Sequence, residues 1–223
     1  MSLPILFFAA GLGTRMAPLT NTTPKPLITV AGKPLIDHAL DLATQTGTGA
    51  KVVNLHYRGD MIRQHLAGQN IAFSDESDAL LETGGGLRHA LALLNGNPVM
   101  TMNTDAVWNG PNPVTQIMQA WQPEMEALLL LVEKQNVSGH NGKGDFRVDA
   151  HGRLHRAPAA IYTGLQIIRT DVLAEIDEMA FSMNVVWDII AARGGLFGTT
   201  YDGRWCDVGQ PSSIPVAEAM LDV

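Results

Sequence analysis

Residues 6–27 read LFFAAGLGTRMAPLTNTTPKPL. An apolar run gives way at Gly11-Leu12-Gly13-Thr14-Arg15 to a segment that carries Lys25 between Pro24 and Pro26. Pro4 to Ala10 has the length and apolar density of a buried parallel strand. Glycines at the end of such a strand let the backbone curl tightly, and successive N–H groups in the loop can point at a phosphate. The spacing fails G-x-G-x-x-G, because Met16 stands three beyond Gly13, and it lacks the Gly-Lys-Ser/Thr of a P-loop. A dinucleotide-binding Rossmann fold and a P-loop NTPase are both disfavoured. Arg15 and Lys25 place two cations within reach of one loop, and the prolines fix φ on either side of Lys25 and deny it a helix. Taken alone, this pattern fits equally a lysine held for a specific group and a surface turn with a solvated lysine.

Working outward, strand and helix patterns alternate. LIDHALDLATQTG (35–47) has helical apolar spacing and closes at Gly47; AKVVNLHY (50–57) reads as a strand; DMIRQHLAG (60–68) reads as a helix with Asp60 as N-cap. NIAFSDES (70–77) is a third strand, GGLRHALALLNG (85–96) a helix starting in a triple glycine, and PVMTMNTD (98–105) a fourth strand ending at Asp105. PVTQIMQAWQ (113–122) and EALLLLVEK (126–134) continue the alternation as helix and strand. The polar, glycine-rich residues 136–156 suit a hairpin outside the main sheet, with pieces at DFRVD and RLHR. AIYTGLQIIR (160–169) returns as a strand, DVLAEID and NVVWDIIAARG are helices, LFGTTYDGRWCDVG (196–209) is a final strand or hairpin, and IPVAEAMLD closes as a helix. The expectation is one α/β domain over residues 1–223, a Rossmann-like, doubly wound, mostly parallel mixed sheet with a small hairpin insertion at about 135–160.

The 223 residues carry a net charge of −7, which argues against a nucleic-acid surface. The single cysteine, Cys206, excludes an intrachain disulfide. The N-terminal apolar run is too short to span a membrane and lacks a basic flank, so the expected compartment is the cytoplasm. No H-E-x-x-H, Gly-x-Ser-x-Gly or Cys–His arrangement points to zinc or to a nucleophile. Asp105, at the end of a strand, sits where ligands gather in open α/β sheets.

The stretch AAGLGTRMAPLTNTTPKPL closely resembles the signature of the sugar nucleotidyltransferases, A-A-G-x-G-[ST]-R-[ML]-x-P-L-[ST]…P-K-[PA]-[LM]. The resemblance implies a nucleotide-diphospho-sugar transferase fold and a loop, Ala10, Gly11, Leu12, Gly13 and Thr14, that holds a nucleoside triphosphate. Arg15 and Lys25 would neutralise charge as a sugar 1-phosphate attacks the α-phosphorus. Such a transfer between polyanions calls for Mg²⁺, which takes one or two carboxylates plus phosphate oxygens and water. Asp105 and Asp207, the latter in GRWCDVGQP resembling the family's W-x-D-[VI]-G, are the implied metal ligands; only the resemblance pairs them.

LLETGGGLRHAL resembles the segment that runs along nucleobase and ribose, which implicates Glu82, Thr83, Gly84 and Gly85. Its E-T-G-G-G is similar to the branch containing N-acetylmuramate-1-phosphate uridylyltransferases and some mannose-1-phosphate guanylyltransferase-like proteins. HNGKGDF resembles the muramate enzymes' H-x-G-[RK]-G-D-F, which places Asp145 toward the sugar; Gly164 would leave room for the sugar ring, with Asn103 and Glu133 as partners for its substituents. The chain departs from the muramate pattern N-G-D at Asn103-Thr104-Asp105, where a side chain replaces glycine at the pocket. The implied reaction is UTP plus N-acetylmuramate 1-phosphate in cell-wall recycling. Mannose 1-phosphate with GTP stays open as an alternative, as does a non-catalytic subunit that senses nucleotide sugars.

Overall fold

The structure, a computed structural model, describes residues 2–222. In chain order the elements are β1 (Ile5–Phe8), β2 (Thr29–Val30), β3 (Lys33–Pro34), α1 (Leu35–Gln45), β4 (Lys51–Leu55), α2 (Gly59–His65) and β5 (Ala72–Asp75). Then come α3 (Glu82–Leu94), β6 (Val99–Asn103), β7 (Ala106–Asn109), α4 (Pro113–Ala120), β8 (Ala127–Val132), β9 (Val137–Ser138) and the hairpin β10 (Phe146–Val148) and β11 (Leu154–Arg156). The chain finishes with β12 (Ile161–Ile168), α5 (Met183–Ala192), β13 (Leu196–Thr200), β14 (Arg204–Asp207) and α6 (Ser213–Leu221).

Seven strands form one sheet in the order β13-β8-β12-β6-β1-β4-β5. Every neighbouring pair is parallel except those of β12, which runs against both β6 and β8. The continuous apolar runs follow from burial on both faces. Ile5, Phe7, Leu128 and Leu130 pack in one layer with Ile36, Ile62 and Ile117 from α1, α2 and α4. Leu6, Leu129 and Leu131 pack in the other with Leu87 of α3 and Val186 and Ile190 of α5. The helix signals are equally physical. Asn112 caps α4 by accepting from the Val114 and Thr115 N–H groups, Ser182 caps α5, and Gly47 takes the left-handed φ of 65° just past α1.

A second sheet, β7-β14-β9, has β14 at its centre, antiparallel to β7 and parallel to β9. Ala217 and Met220 of α6 cover it, packing with Val107, Cys206 and Val208 of the sheet and its end. Burial pushes the Cys206 thiol up to about 11, in keeping with a packing role.

Four local expectations change. Asp60 is not the cap of α2: Arg58, in the left-handed region at φ 52°, starts the helix at Gly59 and leaves Asp60 inside the first turn. DVLAEID condenses to a five-residue 3-10 turn, Asp171–Glu175. Residues 196–209 form neither one strand nor a hairpin, because Tyr201, its hydroxyl bonded to the Pro111 carbonyl at 2.8 Å, pins the chain where it leaves one sheet for the other. The insertion hairpin is confined to 146–156, while Val137–Ser138 joins β14. No helix among the described residues is long and apolar enough to cross a membrane.

Candidate active site

The C-terminal end of β1 opens into the glycine loop. Ala9 and Ala10 donate their N–H groups to Asn54 Oδ1, at 2.6 and 3.2 Å, so Ala10's amide is already engaged and is not a free phosphate donor. Gly13 sits at φ 64°, and a Cβ there would lie 2.9 Å from Thr20 Cγ2 and 3.0 Å from Lys25 Cβ. Its glycine therefore lets the lysine-bearing segment close against the loop. That segment is a single 3-10 turn, Lys25–Leu27, with Pro26 buried. It delivers Lys25 Nζ to Asp105 Oδ2 at 2.7 Å, with the lysine side chain 12% exposed. The lysine is not a solvated surface group.

Pairing of β7 with β14 sets Asp207 opposite Ala106, and the Val208 N–H donates to the Asp105 carbonyl at 2.9 Å. This ladder joins two carboxylates that are remote in sequence. Burial, then the negative charge of Asp105, push the Asp207 carboxyl above its usual range, while Lys25 and His140 pull it down. His140 Nδ1 lies 3.5 Å from Asp207 Oδ2. A Cβ at Gly209 would meet both Asp207 Oδ2, at 3.0 Å, and Arg15 Nη1, at 3.4 Å, which places Arg15 beside the same cluster. Among the described residues no group of three or more His, Cys, Asp or Glu side chains could hold a metal ion. Two hard carboxylates are the donor type for an ion that completes its shell from phosphate and water.

A cavity of about 410 Å³ adjoins the cluster; Ala10, Gly11, Lys25, Asn54, Glu76, Glu82, Thr83, Asn103 and Asp105 are among the residues that line it. Leu12, Gly13, Thr14 and Arg15 lie outside that lining. Glu82 holds φ at 60°, uncommon for a residue with a side chain. Gly84 and Gly85 require a correction. They are buried, and both donate their N–H groups to the Phe181 carbonyl, at 2.8 and 3.1 Å. A Cβ on Gly85 would lie 2.5 Å from the Met179 carbonyl oxygen. The missing side chains admit the chain at 179–181 rather than a ligand.

The sugar-side residues are dispersed. Asn103 lines the cavity. Gly164, at φ 86° where β12 slips register against β8, is filled by Asn103: a Cβ there would be 2.7 Å from Asn103 Cβ. It makes room for that carboxamide rather than opening directly on the cavity. Glu133 lies instead on a neighbouring cavity of about 380 Å³ with Lys134, Arg147 and Thr200. Asp145 accepts from the Tyr162 N–H at 2.9 Å, so one of its oxygens clips the hairpin base to β12. Thr104, at the departure from N-G-D, is buried and donates its hydroxyl to the Phe8 carbonyl at 2.7 Å.

Two residues went unread in the sequence. Asn54 and Glu76 are 2% and 3% exposed, and Asn54 Nδ2 donates to Glu76 Oε1 at 2.8 Å. The only signal was polarity within or just after an apolar strand.

The chain matches the MobA-like NTP transferase domain over residues 5–193. It belongs to that family. Within this NTP transferase family it is 38% identical to N-acetylmuramate alpha-1-phosphate uridylyltransferase of Caulobacter vibrioides, over 97% of this chain and 96% of the relative. Identity to the enzyme of the same name from Neisseria meningitidis serogroup B is 32%, covering 96% of each. A mannose-1-phosphate guanyltransferase of Hypocrea jecorina is 29% identical over 92% of this chain and 60% of its own. In fold, the chain superimposes on HddC of Yersinia pseudotuberculosis complexed with GMP-PN, with a TM-score of 0.80, 19% identity and 97% and 98% coverage. The central sheet and its helices are thus those of the nucleotide-diphospho-sugar transferases.

Proposed function

We propose that the protein is an N-acetylmuramate 1-phosphate uridylyltransferase, joining UTP and the sugar 1-phosphate to give the UDP-sugar and pyrophosphate. The observation that carries the reading is the Lys25–Asp105–Asp207 cluster at the edge of the cavity, in a chain 38% identical to a relative of that name. The glycine loop and Arg15 receive the triphosphate, and Lys25, oriented by Asp105, faces the reacting phosphates. A sugar-phosphate oxygen attacks the α-phosphorus in line and pyrophosphate leaves, so no covalent enzyme intermediate forms. Positioning and charge neutralisation by these side chains lower the barrier. Asp105 and Asp207 are the residues that would hold Mg²⁺, which would supply positive charge against that of the phosphates. Asn103, Glu133 and Asp145 serve the sugar side, and the setting is cytoplasmic recycling of cell-wall sugar.

Pyrophosphate release, with Mg²⁺ and with excess chelator, tests this across four NTPs and the 1-phosphates of N-acetylmuramate, N-acetylglucosamine, glucose and mannose. Turnover confined to UTP with the muramate phosphate, and abolished by chelation, is expected. Turnover with GTP and mannose 1-phosphate alone would overturn the substrate assignment and keep the chemistry. Nucleotide binding without turnover on any pair would replace the enzyme by a sensing subunit.

A further inference from the structure

The chain changes sheets at Asp105. β6 ends at Asn103, which pairs with Phe8 in the last rung of the β1–β6 ladder, and β7 opens the second sheet at Ala106. Thr104 and Asp105 form the bend between them, in no strand. The glycine loop leaves the main sheet from β1, while Asp207 stands on β14 of the second sheet. Asp105 thus lies at the joint between the two parts of the site, where the ladders on either side fix its neighbours rather than the residue itself.

Hydrogen bonds hold the bend from separate directions. Lys25 Nζ donates to Asp105 Oδ2 at 2.7 Å, the Val208 N–H donates to the Asp105 carbonyl at 2.9 Å, and Thr104 Oγ1 donates to the Phe8 carbonyl at 2.7 Å. The first joins the bend to the lysine-bearing turn and the second joins it to the second sheet. The third joins it to the end of β1, immediately before Ala9 and Ala10, whose N–H groups are engaged by Asn54 Oδ1. Thr104 is 2% exposed, and both it and Phe8 line the cavity. With water excluded, its hydrogen bond has few competitors, and the bonded hydroxyl fixes χ1 of a β-branched side chain. The N-G-D pattern has no hydroxyl at this position, so the tie is this chain's own.

We propose that Thr104 is a positioning residue: its hydroxyl, bonded to the Phe8 carbonyl, sets where Asp105 and its partner Lys25 stand relative to the glycine loop, and so governs kcat rather than nucleotide binding. The inference rests on the reading of the Lys25–Asp105–Asp207 cluster as the site of nucleotidyl transfer. Lys25 and Asp105 act on charge that develops during the transfer, where a displacement of about 1 Å can cost on the order of 10²-fold in rate. Nucleotide binding draws on the glycine loop and the start of α3, and β1 keeps its ladders to β4 and β6 when the hydroxyl is lost.

Substitutions at Thr104 separate the hydroxyl from the methyl, with kcat and KM for UTP measured by pyrophosphate release and folding followed by thermal melting. Thr104→Ser keeps the donor and loses the methyl; Thr104→Val keeps the shape and loses the donor; Thr104→Ala loses both. In Thr104→Ser kcat should stay within about threefold of wild type, and in the other two it should fall about tenfold or more, with KM for UTP changed less than about threefold throughout. A role confined to packing would lower Tm in Thr104→Ser and Thr104→Ala and leave kcat of the folded protein unchanged. Wild-type kcat in a folded Thr104→Val or Thr104→Ala would overturn the proposal. So would equal losses in Thr104→Ser and Thr104→Ala, which would assign the effect to the methyl; this comparison decides even if Thr104→Val does not fold. Because Thr104 acts through Asp105, adding Thr104→Ala to Asp105→Asn should lower kcat little beyond Asp105→Asn alone, and a further loss of about tenfold would count against it. Absence of turnover by the wild-type protein with every NTP and sugar phosphate would instead remove the underlying reading, and this inference with it.

Discussion

At the scale of single residues, charge balance decides what each substitution does. Lys25→Ala leaves Asp105 without its cation, and turnover should fall by about 10²-fold or more, read as pyrophosphate release. Asp207→Asn should lose turnover to a similar degree for the opposite reason, because on the proposed reading it removes a negative charge that would hold Mg²⁺. Its folding stability should move the other way. The folded-state pKa of Asp207 is raised by burial and by Asp105, so its ionised form is less stable in the folded protein than in the unfolded chain. The linked stability is full below the ordinary carboxylate pKa and is lost as pH rises through the folded value. Asparagine keeps the neutral state at every pH, so at pH 7 the variant should melt at the same temperature or higher. The residues most legible in the sequence, Arg15, Lys25 and Asp105, belong to local patterns or to the end of one strand. Asn54 and Glu76 were not legible, since their roles arise from partners 45 and 22 positions away.

Elements show how a pattern can be read correctly and its purpose wrongly. A glycine run signals missing side chains; whether a ligand or the chain itself fills the space depends on what crosses it. Here residues 179–181 do. Gly85→Ala should therefore destabilise the fold by about 1–3 kcal/mol in chemical denaturation, with little change in KM for UTP in the protein that remains folded. The opposite result would return Gly85 to the ligand. The hairpin depends on Asp149, whose carboxylate accepts from the His151 and Arg153 N–H groups at 2.8 and 3.0 Å and lies 2.9 Å from His155 Nε2. The His155 contact foremost, then those backbone donors, hold Asp149 down at about 2. Its contribution is complete above the ordinary carboxylate pKa and fades as pH falls through about 2. Asp149→Asn should speed amide exchange in β10 and β11 at neutral pH but not in β1 or β6, and the difference from wild type should vanish near pH 2.

For the molecule as a whole, the alternation of strand and helix was visible because burial on both faces writes long apolar runs. Direction and partnership were less visible. Nothing local in β12 says that it runs against its neighbours, and the short β7 acquires strand character only from a partner about a hundred residues later. Binding is also felt globally. UTP with Mg²⁺ at a hundred times its Kd should stabilise the fold by about 2.7 kcal/mol, raising Tm by about 5–10 °C, and chelation should remove most of that shift.

The late pairing of β14 has one more consequence. The residues lining the cavity run from Phe8 to Ser182, so all of them precede Arg204–Asp207 in the chain. During synthesis the pocket's entire wall leaves the ribosome before the second carboxylate does. A polypeptide stopped in that interval carries the wall without Asp207. On the proposed reading, catalytic competence would thus report that translation has passed β14, whereas nucleotide binding would not.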